Sequence, residues 1–292
     1  IGRAAARALK ITAKSAKAKT PAQFMKEIDR VAQLLLKTRP TAVSLPNAIR
    51  FVARRSSLEG IEDVRELREI VSSRADEFTC ISREAVKKIG EFGARRVSDG
   101  DVIVTHCNSS CALSVIKTAH QQGKDLTVFV TESRPREQGL ISARSLSKAG
   151  IKTILIVDSA ARFFMKDVDK VIVGADSIAA NGAVVNKIGT APLALAAHEA
   201  RVVFFVAAES YKFHPQTLVG ELVEIEERDP KEILGAKKLS GVEIRNPAFD
   251  VTPPEYIDLI ITERGIIPPQ AAYTVLQEQF EWKPGEEISR GS

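Results

Sequence analysis

Material for disulfides is the first thing this chain lacks. Its 292 residues include three cysteines, Cys80, Cys107 and Cys111, and no C-x-x-C pair. That excludes a disulfide framework, argues against a thiolate zinc site and fits a reducing compartment. No apolar run approaches the roughly 20 residues that span a bilayer, and no basic-then-apolar leader opens the sequence. The expectation is a soluble, cytoplasmic protein that does not enter a membrane. Neither G-x-x-x-x-G-K-[ST] nor G-x-G-x-x-G occurs, which disfavours nucleotide hydrolysis and dinucleotide redox chemistry. Internal repeats and low-complexity segments are absent as well. The formal charge is +5, with basic residues scattered among acidic ones, so no nucleic-acid partner is expected. The chain opens on Ile1 and runs straight into residues of helical composition, so preceding native residues are expected. The aperiodic stretch Trp282–Ser292 reads as a loose extension.

What is present falls into two grammars. Residues 1–97 read as a helical domain. Thr20-Pro21 is a cap and first-turn pair ahead of Phe24, Ile28, Val31 and Leu35. A longer apolar stripe through Val64, Leu67, Val71, Phe78, Ile81, Ala85, Ile89 and Phe92 predicts a packed helix with one interruption. Residues 98–275 alternate short β-branched runs with helix-length segments: Val102–Val104, Leu126–Val130, Thr153–Val157, Lys170–Val173, Val202–Val206 and Leu259–Thr262. That alternation predicts an α/β, Rossmann-like parallel-sheet domain following the helical one, with 276–292 as a C-terminal tail. The stretch Arg245–Pro254 reads as irregular.

Polar residues collect where the runs end, and ligands of open α/β sheets bind outside the carboxyl ends of the strands. Cys107 stands at a strand-to-helix turn, where a helix start favours thiolate; a buried free cysteine is the plainer alternative. Cys111, one turn on, reads as packing. Ser109 and Ser110 open the next helix and serve either as ordinary caps or as part of a phosphate cradle. Asp176 follows Gly174-Ala175 at another strand end. It is a turn residue, or else a carboxyl kept protonated against an apolar wall. Asn186 and Lys187 are placed just before a helix, where Lys187 by itself would be solvated surface. Arg39, Arg134, Lys187 and Lys212 together carry enough positive charge for two phosphate groups.

Six motifs in order, T-H-C-N-S from Thr105, T-E-S-R-P from Thr131, G-A-D-S-I-A-A-N-G from Gly174, V-N-K-I-G-T from Val185, A-E-S-Y-K-F from Ala208 and N-P-A-F-D-V-T-P from Asn246, resemble the aldose 1-phosphate isomerases related to the regulatory subunits of translation initiation factor 2B. Within that superfamily the chain looks most like the archaeal ribose 1,5-bisphosphate isomerases, which make ribulose 1,5-bisphosphate in nucleoside degradation. The resemblance implies Cys107 and Asp176 as the catalytic pair, and substrate contacts at Arg39, Ser109, Ser110, Cys111, Asn186, Lys187 and Lys212. Arg134 joins them on charge. It also implies a phosphorylated sugar as substrate, no required cofactor or metal, stimulation by AMP, and a homo-oligomer of dimers assembled into a hexamer. Two departures stand out: the arginine-glycine loop that precedes the family's first helix is absent from the sequence, and Ser110 stands where a basic residue is frequent. The methylthioribose 1-phosphate isomerases, the alternative reading, carry a longer Gly-rich stretch after T-H-C-N. A non-catalytic initiation-factor-like subunit, the other alternative, generally lacks the cysteine.

Overall fold

The computed structural model describes residues 1–38, 43–53, 58, 60–219, 223, 225–237 and 239–280. Two compact units emerge, Ile1–Ala85 and Val86–Ser292. The first consists of α1 (Gly2–Ser15), α2 (Pro21–Thr38), α3 (Ser44–Val52) and most of α4 (Val64–Ala94), inside which the division falls. Helix α2 begins as Thr20-Pro21 predicts. Thr20 Oγ1 accepts the Gln23 amide at 3.3 Å, and proline has no N–H to satisfy in a first turn. Phe24 and Ile28 are fully buried behind it.

The expected interruption in α4 does not occur; it is one helix of 31 residues. No proline breaks it, and the buried stripe Leu67, Val71, Ala75, Phe78, Ser82, Ala85 and Ile89 keeps a spacing of three and four throughout. Ile81, expected on that stripe, is 43 % exposed. The stripe runs through Phe78, Ser82 and Ala85 and leaves Ile81 at its border. Among the described residues no helix is long and apolar enough to cross a membrane.

The second unit runs β1 (Val102–Thr105), α5 (Ser110–Gln121), β2 (Thr127–Thr131), α6 (Gly139–Ser147), β3 (Lys152–Ile156), α7 (Ala161–Phe164), β4 (Lys170–Val173), β5 (Ser177–Ile178), β6 (Val184–Lys187), α8 (Thr190–Ala200), β7 (Val203–Ala207), α9 (Lys231–Leu234), β8 (Phe249–Thr252), β9 (Leu259–Thr262), β10 (Gly265–Ile267) and α10 (Ala272–Phe280). All six runs marked in the sequence are strands of one seven-stranded sheet, ordered β10-β9-β7-β4-β1-β2-β3. Its pairings are parallel except that of β10 with β9. Alternate residues of each strand but the edge strand β3 feed opposite cores, which is why those runs are apolar. Val171, Val173, Phe204 and Val206 pack with Leu193, Ala194 and Ala197 of α8. Ile172, Phe205 and Ala207 pack on the other face with Val115, Ile116 and Ala119 of α5.

From β1 the chain winds outward to β2 and β3, then returns to β4 on the other side of β1. This reversal opens a crevice beyond the ends of β1 and β4. A second sheet, β5-β6-β8, is antiparallel. Its strand β8 lies inside Arg245–Pro254, which is therefore not irregular throughout. Prolines at 247, 253 and 254 bracket a four-residue strand and hide it from pattern reading.

Phe204 is 1 % exposed, within the α8-side core. Phe204→Ala is expected to lower unfolding free energy by about 3–5 kcal/mol, the usual cost of such a cavity, as measured by urea denaturation followed by circular dichroism.

Candidate active site at the ends of β1 and β4

Cys107 sits two residues beyond β1 with φ at +65°, a left-handed conformation that costs a non-glycine residue on the order of 1–3 kcal/mol and persists only where neighbours enforce it. Here they do. The Cys107 amide donates to Ser133 Oγ at 2.8 Å, and the Ser142 hydroxyl donates to the Cys107 carbonyl at 2.7 Å. The thiol donates to Gln138 Oε1 at 3.6 Å. Ser133 is itself fixed, because Asp158 beyond β3 accepts the Ser133 and Arg134 amides at 2.7 Å each. Gly139 opens α6 where any Cβ would overlap the Thr131 carbonyl oxygen, so the segment supplying Gln138 and Ser142 can lie this close to β2.

His106 braces the same turn from within. Its Nε2 lies 2.9 Å from the Ile188 carbonyl, which can only accept, so Nε2 carries the proton and Nδ1 accepts from Thr131 Oγ1 at 2.5 Å. Burial lowers the pKa of His106, opposed by Asp158, whose Oδ1 is 3.9 Å from Nδ1. The imidazole is therefore neutral at pH 7. His106, Thr131, Asp158 and Leu193 also line a cavity of about 440 Å³, whose walls include neither Cys107 nor Asp176.

The opposite side of the crevice is the turn after β4. A Cβ on Gly174 would overlap the Ser109 side chain, so only glycine lets the end of β4 meet the start of α5. Two residues on, half-buried Asp176 donates its amide to the Val185 carbonyl at 2.9 Å, tying the turn to β6. Asn186 and Lys187 are the last residues of that strand, and they are buried rather than solvated. Lys187 Nζ donates to the Ala248 carbonyl at 3.1 Å and stands 4.9 Å above the Phe249 ring. Asn186 Nδ2 donates to Thr190 Oγ1 at 3.0 Å.

The half-buried Cys107 thiol is pushed up to about 11, chiefly by burial; its neighbouring backbone and Lys187 pull down, and the charges of Asp176 and Asp158 push up. This corrects the expectation that the helix start makes it a thiolate: desolvation outweighs the helix, and the resting group is a thiol. Lys212, in the 3₁₀ turn Ser210–Lys212 after β7, pairs with Glu209 at 3.0 Å and also feels the charge of Asp176.

Cys107 thus feels the charges of Lys187 and Asp176, and Lys212 feels that of Asp176. Ser109 caps α5, its Oγ accepting the Ala112 amide at 3.3 Å. Ser110 is exposed at the first helical position, and the Cys111 side chain is wholly buried in the core. Only backbone amides of that first turn lack an intrahelical carbonyl. Arg134 is placed differently. Its guanidinium reaches Glu137 and the Ile233 carbonyl, both at 3.2 Å, and no described contact joins it to Cys107. Arg39 lies outside the described residues. Residue-by-residue reading passed over Ser133, Asp158, Ser142, Glu209 and Asp250. Of these, Ser133, Glu209 and Asp250 stand inside quoted motifs. Asp250 Oδ2 holds the start of α8 through the Gly189 and Ala191 amides at 2.7 and 3.1 Å, and burial raises its pKa to about 6.

Comparison with known proteins gives the arrangement a lineage. Residues 1–269 match the Initiation factor 2 subunit family. The ribose 1,5-bisphosphate isomerase of Thermococcus kodakarensis is 54 % identical over 288 residues, spanning 97 % of this chain and 89 % of that protein. The crystal structure of a Pyrococcus horikoshii translation initiation factor eIF-2B aligns with TM-score 0.79 at 39 % identity, covering 92 % and 90 % of the two chains. That of a 5-methylthioribose 1-phosphate isomerase from the same organism aligns with TM-score 0.78 at 34 % identity, covering 96 % and 82 %. The chain belongs to the Initiation factor 2 subunit family.

Proposed function

We propose that this chain is an aldose–ketose isomerase that converts ribose 1,5-bisphosphate to ribulose 1,5-bisphosphate. The observation that carries the reading is the Cys107 thiol and Asp176 carboxyl set at the two sides of one switch-point crevice, with the ammonium groups of Lys187 and Lys212 beside them. The 54 % identity to the Thermococcus kodakarensis isomerase supports the substrate.

An aldose phosphorylated at carbon 1 has no free aldehyde, so its ring must open in the same passage that moves a proton. Asp176 donates its proton to the ring oxygen as the bond from that oxygen to carbon 1 breaks. Cys107, as thiolate, removes the proton from carbon 2, and the electron pair forms the double bond of an enol phosphate between carbons 1 and 2. The thiol returns its proton to carbon 1 as the enol hydroxyl on carbon 2 gives its own to Asp176, which leaves the ketone and regenerates the starting pair. The resting thiol and carboxylate hold the same single proton as the working thiolate and carboxylic acid. One transfer within the crevice interconverts them, so a pKa of about 11 on Cys107 is compatible with its acting as the base. Lys187, Lys212 and the first-turn amides at Ser109, Ser110 and Cys111 anchor the phosphates, with Asn186 orienting the sugar and Arg39 and Arg134 adding positive charge. The route calls on no metal or cofactor. A homo-oligomer, dimers building a hexamer stimulated by AMP in the cytoplasm, belongs to the same reading. Leu155, Val157 and Phe163, which are 46 %, 52 % and 70 % exposed around the edge strand β3, offer it an apolar face.

Cys107→Ser and Asp176→Asn are each expected to lower turnover by at least about 10²- to 10⁴-fold, the usual contribution of a positioned proton-transfer group, with unchanged circular dichroism. Incubation with ribose 1,5-bisphosphate followed by NMR for ribulose 1,5-bisphosphate is the assay. Turnover of methylthioribose 1-phosphate alone would move the assignment to that substrate, and wild-type activity in either variant would end the proposed pairing.

The one-proton pair also fixes a pH profile. Because the pair keeps its proton until the medium nears pH 11, kcat/KM should be flat between pH 7 and 9 and fall only at higher pH. A tenfold rise per pH unit across that range would mean that the doubly ionised pair is the active form, and Asp176 would lose its role as acid.

A further inference from the structure

Glu209 is an anion in an unpromising place. It is 4 % exposed, beside a crevice that the preceding reading fills with phosphate. A carboxylate there repels the substrate unless its charge is spent on something else. Its surroundings show what that is. Oε2 lies 3.0 Å from Lys212 Nζ, and Oε1 accepts the Tyr211 hydroxyl at 2.9 Å. The Cys111 thiol of α5 faces the same carboxylate. The intervening Ser210 is tied elsewhere: its amide donates to Glu263 Oε2 at 2.9 Å and its hydroxyl to Glu263 Oε1. The turn is thus pinned at Ser210, while Glu209 is turned towards the lysine three residues on.

We propose that Glu209 is a positioning residue of the isomerase, holding the Lys212 ammonium protonated and aimed so that the phosphate meets a permanent cation. The inference rests on the function proposed above, deepening the role of Lys212 in it. A lysine removed from water tends to lose its proton, and burial is the largest influence on Lys212 in that direction. Glu209 opposes it first, then Cys111 and Asp176, and the ammonium ends well above the ordinary lysine range. Burial also works against the charge of Glu209, but Lys212, its own backbone amide and the Tyr211 hydroxyl bring its carboxyl down to about 2. Each member of the pair is charged because the other is.

The test is the pH dependence of KM in Glu209→Gln, whose amide oxygen still accepts from Tyr211. For wild type, KM for ribose 1,5-bisphosphate should show no alkaline rise attributable to Lys212 up to pH 9.5. In Glu209→Gln it should climb roughly 10- to 100-fold between pH 7 and 9.5, the span expected when one charge-assisted phosphate contact is lost, with kcat changed far less. Adding Lys212→Arg, whose guanidinium stays charged at every accessible pH, should flatten that climb. A merely structural role for Glu209 would shift both constants without a pH trend and would not respond to the arginine. A KM for Glu209→Gln that parallels wild type at every pH overturns the proposal. NMR titration of the Lys212 ¹⁵Nζ decides it independently of substrate. The resonance should stay that of an ammonium through pH 11 in wild type and titrate below 10.5 in Glu209→Gln, and equal titration in both refutes it. Absence of wild-type turnover of ribose 1,5-bisphosphate counts against the function reading alone, leaving the lysine titration to judge Glu209.

Discussion

The hydrogen bond from the Cys107 amide to Ser133 Oγ is the contact on which the site depends. A side chain in the left-handed region is held there only by its surroundings, and these reach Cys107 from three strand ends in sequence. Asp158 beyond β3 orders the loop beyond β2, and Ser133 of that loop captures the amide beyond β1. The parallel sheet sets these ends side by side at about the spacing of neighbouring strands, close enough for one serine to span. Strand order thereby becomes thiol geometry. Gly174 does the corresponding work across the switch point, where the absence of a side chain lets the β4 turn come up against Ser109.

Charge is arranged with the same economy. Lys187 and Asp176 act on the Cys107 thiol, while Lys212, paired with Glu209, feels the charge of Asp176. Lys187 donates to the Ala248 carbonyl and stands over the Phe249 ring. Lys212 is stabilised by a carboxylate.

Sheet architecture was legible in the sequence because the inner parallel strands are buried on both faces and so write themselves as continuous, largely β-branched runs. The antiparallel sheet was not. Its strand β5 has two residues, and β6 ends in Asn186 and Lys187, polar residues that the sequence places only as the approach to a helix. Burial of Lys187 was hidden for a related reason: its partners, Ala248 and Phe249, come from a strand 61 positions further on. The candidate pair at Cys107 and Asp176 was visible from strand ends and motif order, whereas the ionisation of the thiol was not. Sequence places Cys107 at a helix start, but only three-dimensional packing reveals how much water the thiol has lost. Ile81 shows the limit of periodicity itself, since an apolar residue at the border of a stripe satisfies the count and still faces outward.

His106 precedes Cys107 in the chain and has both ring nitrogens engaged. One ring nitrogen is committed to the Ile188 carbonyl, the other to Thr131, and the ring is desolvated enough to stay uncharged. An imidazole beside a working cysteine ordinarily serves as a shuttle to the solvent. In the proposed reaction it would act as an insulator: with both ring nitrogens engaged, it has none left to ferry hydrogen between the thiol and bulk water. In the proposed reaction, a proton lifted from the sugar by Cys107 would be sheltered on the His106 side, which would favour internal return of the same hydrogen over exchange with the medium.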